Sequence, residues 1–260
     1  MLKIFKYSLK DLVRSKWTLI YFLFYLVISW GILWFSGDLS RSVVSFMNII
    51  LFICPLVGVM FGVIYYNNSS EFTMLLMAQP LGRKSIFLGQ YFGISSSLAL
   101  SFVLGMLIPF AIKGVFAENI AASFIVLLFV GIILTYIFTA LAFVISLKFI
   151  NRLTGFGMAI MIWLFLAVIY DGIFMMLLIF FEEYPLENLS IAIIVLNPID
   201  ISRILIMLDL DISALMGYTG AVFNEFFGRN IGMSISFASL LLWVLVPVYM
   251  IKRLSMKNDF

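Results

Sequence analysis

The 260-residue sequence is too apolar for a water-soluble domain, because 64% of its residues are hydrophobic and only 11% are charged. A soluble domain of this length needs more polar residues to cover its surface, so composition excludes soluble enzymes and soluble binding modules. The net charge of +3 at pH 7 indicates no nucleic-acid partner. We therefore expect an all-α polytopic protein of the lipid bilayer, formed by a single transmembrane domain over residues 1–260.

Residues 1–16 predict an amphipathic helix in the cytoplasmic membrane interface. Apolar residues recur there at helical spacing, with basic residues between them: Leu2, Phe5, Leu9, Leu12 and Val13 against Lys3, Lys6, Lys10 and Arg14. A helix of this kind would pack on the bundle and act as a mechanical element. The basic residues also fit the simpler role of setting the orientation of the first span, and both roles stay open.

Six apolar runs are long enough to cross the bilayer as helices: residues 17–35, 46–66, 86–112, 120–146, 154–181 and 231–251. At about 1.5 Å per residue, each run covers roughly the 30 Å of the hydrocarbon core. Glycine pairs at four-residue spacing in the second and third runs permit close helix contact, within one chain or between two copies: Gly58 and Gly62, Gly89 and Gly93.

The distribution of basic residues predicts that both termini are cytoplasmic. With that orientation, most of the 16 lysine and arginine residues lie inside: Lys3, Lys6, Lys10, Arg14, Lys16, Arg83, Lys84, Lys148, Arg152, Lys252, Arg253 and Lys257. Only four lie outside: Arg41, Lys113, Arg203 and Arg229. Cytoplasmic loops of membrane proteins carry an excess of basic residues, so this asymmetry favours the orientation.

The residue types present exclude most chemistry inside the membrane. The chain has no histidine and a single cysteine, Cys54, so it has neither an HExxH site nor a cysteine cluster, and we expect no metal site. The segment Gly82-Arg83-Lys84-Ser85 matches the end of a phosphate-binding loop but lacks the upstream glycine and the preceding strand. We therefore expect no catalytic residue, no cofactor bound by this chain and no ATP hydrolysis by the chain alone.

The first cytoplasmic loop, residues 67–85, contains a segment that is too short to span the bilayer and too apolar for a free linker. Thr73 to Ala78 predict a short helix, and the sequence Gln79-Pro80-Leu81-Gly82 ends it. Exposed Leu75, Leu76 and Met77 would form a docking surface for a soluble partner. The alternative is an ordinary interfacial helix.

The external segment, residues 182–230, predicts a helical hairpin. It begins with Glu182, Glu183 and Glu187, and an apolar stretch then leads to Asn197-Pro198-Ile199-Asp200, which is typical of a helix start. A second helix fits the apolar residues between Ile212 and Phe227 and would end at Gly228. We expect two re-entrant helices that form an external gate between the fifth and sixth spans.

Asp171 is the single charged residue within a predicted span. A carboxylate at the bilayer centre costs about 2.5–3.5 kcal/mol on insertion scales, so Asp171 would face a partner or a water-filled pathway, with Met175 and Met176 nearby. If the span ends earlier, Asp171 is instead a solvated boundary residue. Soft copper ligands are a further hypothesis for Cys54-Pro55 and the methionines, but packing in the membrane core is the preferred interpretation.

The whole chain resembles the permease subunits of type-2 ATP-binding-cassette transporters. The resemblance rests on the basic interface helix, the six spans, a first cytoplasmic loop of pattern E-x-x-x-L-L-x-x-x-P-x-x-R-K followed by Gly89-Gln90, and Asn197-Pro198 opening a hairpin before the last span. The segment from Asn197-Pro198-Ile199-Asp200 to Leu215-Met216-Gly217-Tyr218-Thr219-Gly220-Ala221-Val222-Phe223 is similar to the permease family of nitrous oxide reductase maturation, in which a cytoplasmic ATPase and a periplasmic solenoid protein help to supply the copper–sulfur centre.

The resemblance implies a homodimer in the bacterial cytoplasmic (inner) membrane, driven by a separate cytoplasmic ATPase that binds ATP and Mg. Together with the residue patterns above, it gives three groups of candidate functional residues: Glu71, Leu75, Leu76, Pro80, Arg83 and Lys84 for coupling to the ATPase; Asp171, Met175 and Met176 for a pathway; and Asn197, Pro198, Asp200, Tyr218 and Phe223 for the external gate. The family has a glycine after the glutamate where this chain has Phe72 and Thr73. Two alternatives are an exporter of a lipid, peptide or drug, and an ATPase-independent channel or secondary transporter.

Overall fold

A computed structural model describes residues 2–13, 15–117, 120–149, 151–181, 187–210 and 217–257, and the side chains of these ranges except at 2, 13, 187–189, 217–230 and 257. The regular structure in these ranges is helical: α1 Leu2–Val13, α2 Lys16–Ser36, α3 Leu39–Asn68, α4 Ser70–Met77, α5 Arg83–Ile112, a 3₁₀ turn Val115–Ala117, α6 Ala121–Lys148, α7 Arg152–Leu164, a π segment Phe165–Ile169, α8 Tyr170–Phe180, α9 Glu187–Val195, α10 Pro198–Leu210 and α11 Gly217–Lys257.

The prediction of six spans in an all-α fold is confirmed, and the chain is a multi-pass membrane protein. Six helical stretches have the length and hydropathy to cross a bilayer: Lys16–Ser36, Leu39–Asn68, Arg83–Ile112, Ala121–Lys148, Arg152–Phe180 and Ile231–Met256. The second span begins at Leu39 rather than residue 46, because Asp38 caps its first turn by accepting a hydrogen bond from the Ser40 amide at 3.1 Å.

Helices α3 and α6 form the centre of the bundle. A Cβ atom built on Gly62 would lie 2.5 Å from the Ala142 Cβ, and one built on Gly58 would lie 3.2 Å from the Phe138 Cβ. These glycines therefore let the two backbones approach closely. Of the two predicted kinds of contact for this glycine pair, within one chain or between two copies, the structure shows the contact within one chain. The fifth span is the least buried of the six: only 17% of its most apolar window is buried within the chain, against 67% for α6.

The second predicted external helix is not separate from the sixth span. Residues 211–216 lie outside the described residues, and from Gly217 the chain continues as one helix to Lys257, so the prediction that Gly228 ends a helix was wrong. A glycine inside a helix costs about 1 kcal/mol relative to alanine, which is less than the loss of a continuous hydrogen-bond ladder. Between the fifth and sixth spans the described helices are instead α9 and α10.

Candidate functional site

The predicted coupling segment is the short helix α4, bounded by Ser70 and Met77. Leu75 is 69% exposed, whereas Leu76 is half-buried and Met77 packs against the core. Met74 and Leu81 are the other exposed large apolar side chains of the loop. The apolar surface at α4 therefore consists of Met74, Leu75 and Leu81, a different set from the Leu75, Leu76 and Met77 that the sequence predicted.

The polar residues of the predicted coupling group border this apolar surface. They are all exposed: Glu71 in the first turn of α4, Pro80 in the following turn, and Arg83 and Lys84 in the first turn of α5. They therefore lie on the part of the loop that a soluble partner would reach. Their role in coupling stays a prediction.

Thr73 anchors α4 to the third span. Its hydroxyl donates to the Ser69 carbonyl at 2.7 Å and accepts a hydrogen bond from the Gln90 Nε2 at 2.8 Å. Gln90 is fully buried in α5, and Thr73 is nearly so. Thr73 stands where the family resemblance leads one to expect a small glycine, and it supplies a hydroxyl that a glycine could not.

Helix α1 packs on the same helix that holds α4. A Cβ atom on Gly93 of α5 would lie 2.5 Å from the Ser8 Cβ of α1, and the Tyr7 ring stacks on the Phe72 ring of α4 with centroids 4.9 Å apart. Phe72 is the sequence neighbour of Thr73, and Gly93 lies about one helical turn from Gln90. Consequently α1, α4 and the beginning of α5 form one packed unit, as the mechanical interpretation of α1 requires.

A charged cluster joins the fifth span to α10. Arg203 Nη1 lies 3.1 Å from Asp171 Oδ2 and 3.4 Å from Asp200 Oδ1. Arg203 was not among the predicted site residues, although a lone carboxylate in a span calls for a cation, and Arg203 lies one turn from Asp200 in sequence. Asp171 is nineteen residues beyond Arg152, or roughly 28 Å along a helix, which favours the boundary alternative over a position at the bilayer centre.

Asn197 connects this cluster to the π segment of the fifth span. Its Oδ1 accepts from the Ile199 amide at 3.0 Å, which caps α10 and confirms the predicted helix start at Asn197-Pro198. Its Nδ2 donates to the Leu166 carbonyl at 2.9 Å and to Asp200 Oδ2 at 2.8 Å. The π segment departs from the usual hydrogen-bond ladder, and its Leu166 carbonyl is thus used to hold another helix.

The pKa of the Asp200 carboxyl is raised to about 8. Burial is the main cause, the charge and hydrogen bonding of the neighbouring Asp171 add to it, and Arg203 and Asn197 act in the opposite direction. Asp200 lies in α10, outside the six spans. A carboxyl with this pKa holds a proton at neutral pH. The cluster then combines one arginine, one carboxylate and one neutral carboxyl, so its charges balance.

The two methionines predicted near Asp171 do not join the cluster. Met175 and Met176 are exposed on the surface of α8, so they form no packed methionine ladder around Asp171. The side chains of Tyr218 and Phe223 lie outside the described residues. Cys54 is buried among the spans, with its Sγ 3.2 Å from the Tyr25 Oη and 3.7 Å from the Tyr21 Oη, an arrangement that fits packing in the core.

The sequence of this chain matches a family of known proteins. Residues 8–215 match the profile of the family described as "ABC-2 family transporter protein". The "Probable ABC transporter permease protein NosY" of Stutzerimonas stutzeri is 27% identical over 214 residues, which cover 76% of this chain and 78% of that protein. The protein of the same name from Pseudomonas aeruginosa is 24% identical over 226 residues, which cover 81% of this chain and 82% of the relative.

Proposed function

Since this chain belongs to the ABC-2 family of transporter proteins, we propose that it is the membrane permease of a transporter driven by a separate cytoplasmic ATPase. Two copies of the chain form the permease in the bacterial inner membrane, with both termini in the cytoplasm. The ATPase binds the ATP and Mg, and this chain supplies the pathway and the moving helices.

The observation that carries the proposal is the exposed apolar surface of α4 on a buried polar anchor. Leu75 is exposed to solvent or a partner, while Thr73 on the same helix is fixed to Gln90 in the third span. An exposed apolar surface favours a protein contact, and the buried hydrogen bond resists displacement of α4 relative to α5. A force applied at Leu75 is therefore passed to a transmembrane helix.

The charged cluster of Asp171, Asn197, Asp200 and Arg203 acts in this proposal as the latch of the external gate. It joins α10 to the fifth span through side chains from both. Such a set of bonds has two discrete arrangements, formed and broken, as a gate requires. Opening the gate separates Arg203 from Asp171 while the bond between Arg203 and Asp200, both in α10, moves with the helix.

The resemblance of the 197–223 segment and the relatives named NosY support a more specific proposal for the role of this permease. We propose that the permease serves maturation of the copper–sulfur centre of nitrous oxide reductase, by moving a sulfur species or by transmitting motion to copper delivery. A periplasmic solenoid protein then receives the cargo or the motion at the external surface. No copper site within this chain is part of the proposal.

Deleting the gene in a nitrous-oxide-respiring host tests the proposed role in maturation of the reductase. Reductase protein should accumulate without the visible spectrum of its copper–sulfur centre, and the gene carrying Leu75→Ala, which keeps a small apolar side chain, should restore part of that spectrum. A fully matured reductase in the deletion strain would exclude the maturation role. Co-purification of an ATPase with the tagged chain tests the permease role separately. A negative result in one experiment therefore does not decide the other role.

A further inference from the structure

A cavity of about 440 Å³ opens at the end of the bundle away from α1, where α2 turns into α3 beside the end of α5. Among the residues that the structure describes, its lining consists of Leu33, Trp34, Gly37, Asp38, Leu39 and Lys113. Its volume lies within the roughly 300–1,000 Å³ typical of sites for small ligands. The cavity is separate from α4 and from the cluster around Arg203, so neither proposed element of the transport cycle accounts for it.

One wall of the cavity is a tight turn with a carboxylate. Gly37 has φ +64°, the left-handed conformation that favours glycine, and ends α2. Asp38 follows it, and its Oδ1 accepts from the Ser40 amide. Its Oδ2 is 4.0 Å from the Arg41 Nε, which is too far for a hydrogen bond, so this oxygen keeps the capacity to accept one.

The lining of the cavity also includes a cation. Lys113 follows the last turn of α5 and its side chain is exposed. Within the described part of the chain, no carboxylate lies within ion-pair distance of Lys113, although Asp38 lines the same cavity. The cavity thus has a positive and a negative group that do not pair with each other, which complements a ligand that carries both charges.

Aromatic side chains indicate the depth of the cavity in the bilayer. Trp34 lines it and is 81% exposed, and the next residue, Phe35, is 90% exposed. Tryptophan is enriched where the hydrocarbon meets the lipid headgroups, because its ring is apolar and its N–H is polar. The charged groups therefore lie at the level of the headgroups, and Trp34 lies where acyl chains begin.

We propose that this cavity binds the headgroup of a phospholipid that carries both a phosphate and a primary ammonium group. Lys113 binds the phosphate as a point charge, and the free Asp38 oxygen accepts from the ammonium N–H groups. The acyl chains then run along the exposed rings of Trp34 and Phe35. A choline headgroup has no N–H to donate, and a glycerol headgroup has no cation, so both should bind more weakly.

Native mass spectrometry of the full-length, delipidated chain tests the proposal with phosphatidylethanolamine, phosphatidylcholine and phosphatidylglycerol of equal acyl chains. One phosphatidylethanolamine should bind with roughly five- to tenfold higher affinity than the other two, about the effect of one charge-assisted hydrogen bond. Asp38→Asn, which still caps α3, should abolish the preference over phosphatidylcholine. Lys113→Gln should weaken all three phospholipids, and Lys113→Arg should retain binding.

Arg41→Gln removes the cation that lies 4.0 Å from Asp38 Oδ2 without changing a residue that lines the cavity. Because it takes a competing positive charge away from that oxygen, the preference for phosphatidylethanolamine should be kept or increased, and its loss would contradict the proposal. Equal affinity of the three lipids for the unsubstituted chain, or a preference that survives Asp38→Asn, would overturn the proposal. Protection of Lys113 from an amine reagent by an added soluble external protein, with no lipid preference, would assign the cavity to protein docking instead.

Discussion

Gln90 and Thr73 form a buried hydrogen bond of 2.8 Å between a membrane span and the short helix that precedes it. The bond holds α4 at a fixed rotation on α5, and this rotation decides which side of α4 faces out. Leu75 is exposed and Leu76 is half-buried for this reason. The orientation of the candidate docking surface therefore depends on a polar contact that lies beneath it.

Thr73→Val should reduce coupling between ATP hydrolysis and transport while changing the volume of the side chain little. It removes the hydroxyl that accepts from Gln90, and an unsatisfied buried amide costs about 1–3 kcal/mol. We expect a lower thermal unfolding midpoint for the purified chain and a smaller stimulation of the bound ATPase by the permease. Fluorescence-detected unfolding and ATPase assays on the complex measure the two effects.

The double variant Thr73→Val/Gln90→Leu provides the control for that experiment. Replacing both partners removes the unsatisfied amide, so stability should return toward that of the original chain. Coupling should stay low, since the directional bond between α4 and α5 is still absent. Full coupling in either variant would show that the bond only stabilises the fold.

Leu75→Asp should abolish co-purification of the ATPase, whereas Leu76→Asp should mainly lower the stability of the permease. The structure separates the two leucines by exposure, and a charge at the half-buried position disturbs packing rather than docking. Leu153→Asp is a matched control, because Leu153 is an exposed leucine at the beginning of α7, outside α4. Loss of the ATPase from the Leu153 variant alone would move the docking contact to that helix.

Arg203→Gln should loosen α10 more than Asp171→Asn does. Loss of the arginine leaves Asp171 without its cation and Asp200 without a hydrogen-bond donor, whereas Asp171→Asn leaves Arg203 its hydrogen bond to Asp200. The side chains of Asp171 and Arg203 are each slightly more than one third exposed. Because solvent screens their attraction, the coupling free energy between them should be only about 0.2–1 kcal/mol. Hydrogen exchange of the α10 amides shows which of the two variants loosens the helix more. A double-mutant cycle measures the coupling free energy between Arg203 and Asp171. Equal exchange in both variants would contradict the latch.

The stability of the α10 contact should decrease as pH rises. The pKa of Asp200 is raised from 3.8 unfolded to about 8 in the fold, so the folded state holds a proton that the unfolded state has lost between these values. Stability from this group is greatest below about pH 4, decreases up to about pH 8 and is absent above it. Asp171, Arg203, Asn197 and the Tyr170 hydroxyl are the neighbouring groups.

Asp200→Asn should remove this pH dependence, because an amide is neutral at every pH and keeps the bonding capacity of the protonated acid. Thermal unfolding of the purified chain between pH 5 and pH 9 measures the difference. The original chain should lose stability relative to the variant up to about pH 8 and then run parallel to it. Parallel curves over the whole range would mean that Asp200 is ionised throughout.

Sequence patterns predicted the spans well because hydropathy over about 20 residues is a local property. The Asn197 cap was predicted for the same reason, as its hydrogen bond reaches only to Ile199. Gly228 misled the prediction, since a glycine signals a helix end only where the flanking sequence does not continue the helix. Local signals thus predicted most elements but misplaced boundaries, at Gly228 and at the beginning of the second span, which is Leu39 rather than residue 46.

Contacts between distant residues could not be predicted in the same way. Arg203 meets Asp171 across 32 positions of the chain, and Gln90 meets Thr73 across 17. No spacing rule connects such pairs, because they depend on how helices rotate against one another. The π segment at Phe165–Ile169 was also unforeseen, and it supplies the Leu166 carbonyl that Asn197 binds.

The glycine contact between α3 and α6 has a consequence for where movement can arise. Helices separated by little more than a methyl group cannot slide past each other without a clash at Gly62 and Ala142. This pair therefore resists rearrangement within the chain. The fifth span is the least constrained by its own chain, since its most apolar window is only 17% buried, and its outer surface is left to contact lipid or another protein.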